Sequence, residues 1–398
     1  MKQQTLLGLL LFTGLTSLAA QTLSGEQQAF LRKHAQDIQV HEDYRSGDYH
    51  PVLDAIGDHR IVLLGEFTHG AREAFLTRTD LVKALHEEAG FDAILFESGL
   101  GDVGIVARTA ATRRPAELTY GFIGPWRTAE WPELMAYARD QGMTIGGFDV
   151  QRTGSTLGSF LAEQAADPAD WQDMEEAFGQ LRSTLSNFRT EYESVATETN
   201  SLIGRYQDMA AKWTHDELIQ RALNDRAKYL RYMLRWIGDK DWDARWNARD
   251  SAMAANVRWW LDELGPDRKV IIVAHNFHIA KYNEKEAVMG ELLSTEFGEE
   301  MYSLGVFAGG GSIANNRGEP EDMSPPSQEG LDLKHVIRQM PGAVSFLPLP
   351  PSAPAGGQWL YEPMIVKDTF IDLYGTEVMD LARCFDGVLL IDRVSVPE

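Results

Sequence analysis

Three short aliphatic runs in this chain end in groups that can move protons. The run Ile61-Val-Leu-Leu64 stops at Gly65 and is followed by Glu66 and His69. A second run, residues 92–96, stops at Glu97, and a third, residues 269–274, stops at His275 with His278 close behind. An imidazole accepts a proton near neutral pH when a carboxylate orients it and stabilises its charged form. His69, with Glu66 or Glu97 as that carboxylate, therefore has the makings of a general base acting on water. His275 and His278 could then stabilise charge or protonate a leaving group. Arg78 follows the first run on a helical segment, where it could pair with Glu97 or bind a developing oxyanion.

Other residues fall beside this set. Asp149 and Gln151 follow a further strand-like run and would point into the same crevice. Trp126 and Glu130 flank Thr128, which stands at an N-cap position, so both helix capping and substrate contact fit that segment. These four residues are the candidate substrate-binding positions. Arg249-Asp250-x-x-Met253-x-x-Asn256 reads as a helix face carrying a structural salt bridge. No Gly-x-Ser-x-Gly elbow is present, which disfavours the usual serine hydrolase and favours water as nucleophile. Glu66-x-x-His69 lacks the second histidine of His-Glu-x-x-His, so no metal or other cofactor is expected. A site of two histidines and carboxylates remains the competing reading. The single cysteine, Cys384, can form neither an internal disulfide nor a thiolate metal site, and reads as a buried structural thiol.

The elements that must position these groups follow from periodicity. Strand-like runs occur at 61–64, 93–96, 144–148, 270–274, 302–307, 344–347 and 388–391. Helical spacing occurs at 27–38, 78–88 and 130–140. Strand, crossover helix and strand again is the signature of an α/β fold with a mostly parallel sheet flanked by helices. In such sheets the ligand crevice lies beyond the carboxyl ends of the strands, where all three proton-moving groups would gather. Residues 158–265 lack strands, and their apolar residues recur at helical steps. They read as an inserted all-helical subdomain that divides the α/β core into 21–157 and 266–398, with helices that simply cover the sheet as the alternative. The glycines at 309–311 enter a Pro-rich stretch rather than a helix, which favours a turn or mobile loop over a phosphate cradle.

The chain has 398 residues and a formal net charge of −22. That acidity disfavours nucleic acid and anionic membranes as partners. Residues 1–20 read as a secretory signal peptide, with Lys2, an apolar stretch at 6–18, and small residues before a cut after Ala19 or Ala20. A secreted or periplasmic location is the corresponding expectation.

At these residues the chain resembles the erythromycin esterase family, which includes succinoglycan biosynthesis-like proteins. The resemblance rests on Gly65-Glu66-x-Thr68-His69-Gly70, Arg78, Gly90-Phe91 before Glu97, Trp126-x-Thr128-x-Glu130, Asp149-x-Gln151, Arg249-Asp250-x-x-Met253 and His275-Asn276-x-His278. Met289-Gly290 and the segment from Phe385-Asp386 to Asp392-Arg393 also fit, so it runs from about residue 40 to the end. The resemblance implies an α/β core, a helical subdomain and a deep cleft between them. It implies metal-independent hydrolysis of a small-molecule ester or cyclic ester, a macrolide lactone in the best-known members, by water activated at His69. It carries functional roles to Glu66, Arg78, Glu97, His275 and His278. Phe67 and Phe277 depart from the pattern, since small residues are common there, and bulky side chains would narrow the cleft. Two rival readings are a metal-dependent hydrolase or peptidase and a haem- or iron-binding protein of related fold.

Overall fold

Aliphatic runs with no polar alternation need apolar cover on both sides, and a central parallel sheet supplies it. The computed structural model describes residues 23–41, 44–164, 168–366 and 378–398, so the signal-peptide expectation lies outside the described residues. Eight strands form the main sheet: β1 (Gln36–Ile38), β2 (Ile61–Leu64), β3 (Ala93–Gly99), β4 (Thr144–Asp149), β5 (Val270–Val273), β6 (Met301–Ala308), β7 (Val344–Pro348) and β8 (Gly387–Ile391). Their spatial order is β1-β7-β8-β6-β2-β5-β3-β4. The six strands from β8 to β4 run parallel, while β7 pairs antiparallel with β8 and β1 antiparallel with β7.

Side chains alternate between two separate cores. Ile61, Leu63, Leu95 and Ile272 join one apolar cluster with Trp171, Phe178, Leu230 and Trp236. Val62, Leu64, Ile94, Phe96, Ile271 and Val273 join another with Phe75, Leu81, Trp126 and Trp131. The second cluster is capped by α1 (Arg72–Ala89) and α2 (Trp131–Asp140). The first is covered by five helices in succession: α3 (Thr156–Gln164), α4 (Pro168–Leu185), α5 (Tyr192–Ala210), α6 (Glu217–Asp239) and α7 (Trp242–Leu264). The Asp216 side chain caps α6 by accepting from the Ile219 N–H. No described helix is long and apolar enough to cross a membrane.

Residues 27–38 do not form one helix. The helix spans Gly25–His34, the chain turns extended at Ala35, and Gln36–Ile38 pairs with β7 as the sheet's edge. Buried Ile38, opposite Val344, outweighs the helical spacing around it. Cys384 is buried and its thiol donates to the Tyr282 carbonyl at 3.3 Å. Burial, reinforced by Asp380, pushes that thiol up to about 12, which fits a structural thiol.

Candidate active site

The carboxyl ends of β2, β3, β4 and β5 lie side by side, and each releases the chain into a turn carrying ionisable groups. At the end of β2 the sheet is spliced by a side chain. The Asn276 carboxamide donates to the Val306 carbonyl at 2.6 Å and accepts the Val306 N–H at 3.1 Å. This amide passes directly over Gly65, where a Cβ would stand 2.0 Å from Asn276 Oδ1, so only glycine fits. The main chain closes the same corner, with Asn276 N–H donating to the Glu66 carbonyl at 2.8 Å.

Glu66 is fully buried and is the hub of a first cluster. Its Oε1 lies 2.5 Å from His69 Nδ1 and accepts the Trp126 indole N–H at 3.0 Å, while Oε2 pairs with Arg78 Nη2. Burial alone would raise the Glu66 carboxyl, but Arg78 and His69 outweigh it and hold it below the usual range. Burial likewise pulls His69 down, and the Glu66 carboxylate overrides it, raising the imidazole above its ordinary value. The His69 side chain keeps 20% of its surface exposed. Its Nδ1 is taken by Glu66, and Nε2 makes no hydrogen bond to any described residue. A carboxylate behind Nδ1 and an open Nε2 is the arrangement of a general base.

Arg78 departs from expectation. Its side chain is 2% exposed, pairs with Glu66 rather than Glu97, and lies between the rings of Phe75, Trp126 and Trp131 at 5.3, 5.6 and 5.3 Å. Enclosed by aromatic rings and paired with Glu66, it holds that carboxylate ionised.

Glu97 belongs to a second cluster, built around a residue that sequence reasoning set aside. A shift in the register between β3 and β4 falls between Phe96 and Gly99, the kind of irregularity that re-aims a side chain at a strand end. Glu97 Oε1 accepts from Arg249 Nη2 at 2.7 Å, and Oε2 accepts the His275 main-chain N–H at 2.8 Å. Arg249 also donates to both Asp149 oxygens, at 3.3 Å from Nε and 2.7 Å from Nη2. The Gln151 carboxamide, with its oxygen turned to the guanidinium, accepts from Nε at 2.7 Å. His278 Nδ1 lies 2.8 Å from Asp250 Oδ1. His278 Nε2 has neighbours with opposite demands: Arg249 Nη1 at 2.9 Å donates, whereas Glu97 Oε1 at 3.2 Å accepts. Burial also opposes a charge here, but the Asp250 and Glu97 carboxylates prevail over it and over Arg249, pushing His278 up to about 9. The same surroundings hold Glu97 well below the carboxylate range: burial opposes its charge, and His278 and Arg249 outweigh burial.

His275 bridges the two clusters. Its Nδ1 accepts the Phe277 N–H at 3.2 Å, and its Nε2 lies 3.1 Å from the Phe67 carbonyl, to which the neutral ring donates. Burial, then the nearby His69, lowers it to about 4, so it is neutral near pH 7. Its ring meets that of His69 edge to face at 5.7 Å. With both nitrogens engaged, neither His275 nor His278 stands ready to protonate a leaving group; as placed, they hold the site together.

The four substrate-binding candidates are also bound internally. Trp126 is fully buried under Glu66 and meets the His69 ring edge to face at 5.8 Å. Asp149 and Gln151 serve Arg249. Glu130 Oε1 accepts from Arg72 Nε and from the Glu398 main-chain N–H, both at 3.1 Å, while its Oε2 is buried with no hydrogen-bond partner among the described residues. Phe67 is fully buried in the core beneath the sheet and narrows no cleft. Phe277 is 8% exposed and packs edge to face on His278 at 5.1 Å. Among the described residues, no three His, Cys, Asp or Glu side chains are grouped to hold one metal ion. Arg249 and Asp250 carried a readable signal: a charged pair amid Ala248, Ala252, Met253 and Ala254, where a solvent-facing pair would have polar neighbours.

A mostly parallel sheet with helices on both faces, bearing a carboxylate-held histidine at its strand ends, defines an α/β protein. The chain belongs to the erythromycin esterase family, whose model matches residues 86–394. That match includes Glu97, Arg249, His275 and His278 and begins after Glu66, His69 and Arg78. The chain is 27% identical to erythromycin esterase type II of Escherichia coli over 410 residues, covering 90% of this chain and 95% of the relative. It is 24% identical to the putative hydrolase YbfO of Bacillus subtilis (strain 168) over 411 residues, covering 92% and 90% respectively. A solved succinoglycan biosynthesis protein shares the fold, with a TM-score of 0.72 at 18% identity over 93% of this chain and 97% of that one. Family membership supports a hydrolase of the esterase type.

Proposed function

We propose that this protein hydrolyses a carboxylic ester, with a cyclic ester as the preferred class, using water activated by His69. The observation that carries this reading is the Glu66–His69 pair, with Nδ1 held at 2.5 Å and Nε2 facing solvent. In the proposed reaction a water oxygen attacks the carbonyl carbon while Nε2 takes the water proton. The tetrahedral intermediate collapses with cleavage of the bond to the alcohol oxygen, and the imidazolium returns its proton to that oxygen. One water is consumed; a carboxylic acid and an alcohol result, joined in one molecule when the substrate is a lactone. Glu66 stabilises the transient imidazolium, and Arg78 keeps Glu66 ionised. The signal-like residues 1–20 support export, so the proposed substrate is met outside the cytoplasm.

A panel of macrolides, simple lactones and aryl esters in water enriched in oxygen-18 tests both the substrate and which carbon–oxygen bond is cleaved. The expected product gains one labelled oxygen in its carboxyl group. His69→Ala removes turnover by about 10²–10⁴-fold, the usual worth of general base catalysis, with an unchanged circular dichroism spectrum. Hydrolysis at the wild-type rate in a folded His69→Ala protein would exclude this mechanism.

A further inference from the structure

We infer that Arg249, on the helical cover, is a positioning residue that sets the geometry of His69 through Glu97 and His275. This deepens the hydrolase reading and rests on it. The linkage can be followed atom by atom. The guanidinium fork is buried, and its Nη2 holds Glu97 Oε1 at 2.7 Å. That contact fixes the carboxylate plane, so Oε2 meets the His275 N–H at 2.8 Å. His275, so anchored, donates to the carbonyl of Phe67, the residue after Glu66, and sets its ring against His69. The same fork grips Asp149 and Gln151 at the end of β4 and contacts His278 beyond β5. One side chain from α7 thereby ties together the ends of three adjacent strands, β4, β3 and β5, and the tie that runs through Glu97 and His275 holds the loop bearing the base.

The bound geometry matters more than the charge. A planar guanidinium presents several N–H donors at fixed angles, whereas a lysine ammonium is a point charge on a flexible stem. Lysine at 249 would keep the positive charge beside Glu97 and Asp149 but could not hold both carboxylates and Gln151 in one plane. Displacement of a reacting group by about 1 Å costs on the order of 10²-fold in rate.

The test compares wild type, Arg249→Lys and Arg249→Met, with Gln151→Ala as a milder loosening of the same fork. Two readouts are taken: kcat and KM on an ester identified by the panel above, and the His69 imidazole titration followed by NMR. Expected are a kcat lower by about 10²-fold in Arg249→Lys, little change in KM, a smaller loss in Gln151→Ala, and a displaced His69 titration in both. Because Arg249→Lys keeps the charge, its displaced titration reports geometry. A folded Arg249→Lys protein with wild-type kcat and an unmoved His69 titration overturns the inference. If Arg249→Met fails to fold, the lysine and Gln151→Ala arms decide alone. If the wild type cleaves no ester, the hydrolase reading fails, while the NMR titration still judges the link from Arg249 to His69.

Discussion

Replacing Arg78 by methionine removes a cation from a place where its partner cannot reach water. Glu66 is fully buried and Arg78 is 2% exposed. In the variant, Glu66 Oε1 keeps its contacts to His69 and Trp126, but Oε2 loses the only described side chain that meets it. Breaking a buried ion pair from one side costs about 3–5 kcal/mol, because the remaining charge is stranded. Stacking on three rings adds to the loss, each desolvated cation–π contact being worth up to about 2 kcal/mol. Against this, Arg78 Nε and Nη1 have no hydrogen-bond partner among the described residues, so methionine relieves some buried polarity. The net expectation is a loss of about 3 kcal/mol for Arg78→Met. Arg78→Met with Glu66→Gln should be less destabilised than the sum of the single changes by about 2 kcal/mol, since no charge is then stranded. Urea unfolding of all four proteins, followed by circular dichroism and tryptophan fluorescence with coincident transitions, measures this cycle. A cost below about 1 kcal/mol for the single variant, or strict additivity in the double, would refute the assignment of Arg78 as the charge that holds Glu66.

Two further expectations follow from the histidines. Activity should rise with pH as His69 sheds its proton, with a midpoint above the ordinary imidazole value because Glu66 raises it. Glu66→Gln should bring that midpoint down, and a profile identical to wild type would break the link between the two groups. Stability should be greatest near pH 6.5. His278 is raised to about 9, so its contribution is complete below the unfolded value and disappears as pH climbs through 9. His275 is lowered to about 4, so the folded state loses ground as pH falls from 6.5 toward 4 and the unfolded chain takes up the proton first. Each shift corresponds to about 3 kcal/mol across its window, and Glu66 and Glu97 add to the acid loss as their held charges are neutralised. Unfolding free energies at pH 4.5, 6.5 and 9.5 check the shape; an alkaline arm just as steep in His278→Asn would disconnect it from that residue.

The strand ends were legible because a run such as Ile61–Leu64 has one stable place, a sheet covered on both faces, and its first polar residues must then emerge at the rim. That His69 would meet a carboxylate was legible for the same reason, with Glu66 and Glu97 both in reach on spacing; the fold gives Nδ1 to Glu66. Partner choice across the fold was not. Arg78 was free, on spacing alone, to reach either glutamate. Which one it meets depends on how far α1 slides along the sheet, a packing outcome governed by Phe75, Leu81 and the two tryptophans. Phe67 follows Glu66 directly, yet the turn after Gly65 sends its ring into the core. Arg249 read as one half of a structural salt bridge on a helix face, the usual meaning of an Arg-Asp pair there. Only the helical cover, lying directly on the sheet, turns that pair inward onto Glu97 and Asp149. The proton states of His275 and His278 depend wholly on such neighbours, so two histidines three residues apart end in opposite forms.

The carboxamide of Asn276 does the work of a missing strand residue, and this limits how the protein can diversify. Any side chain at 276 without an amide gives up at least one of the two bonds to Val306, glutamine sets its amide one methylene too far out, and any side chain at 65 collides with the amide that makes them. Random mutagenesis aimed at new substrates would find this floor closed to change. Altered selectivity would have to arise above it, among residues that can vary without unzipping the junction between neighbouring strands.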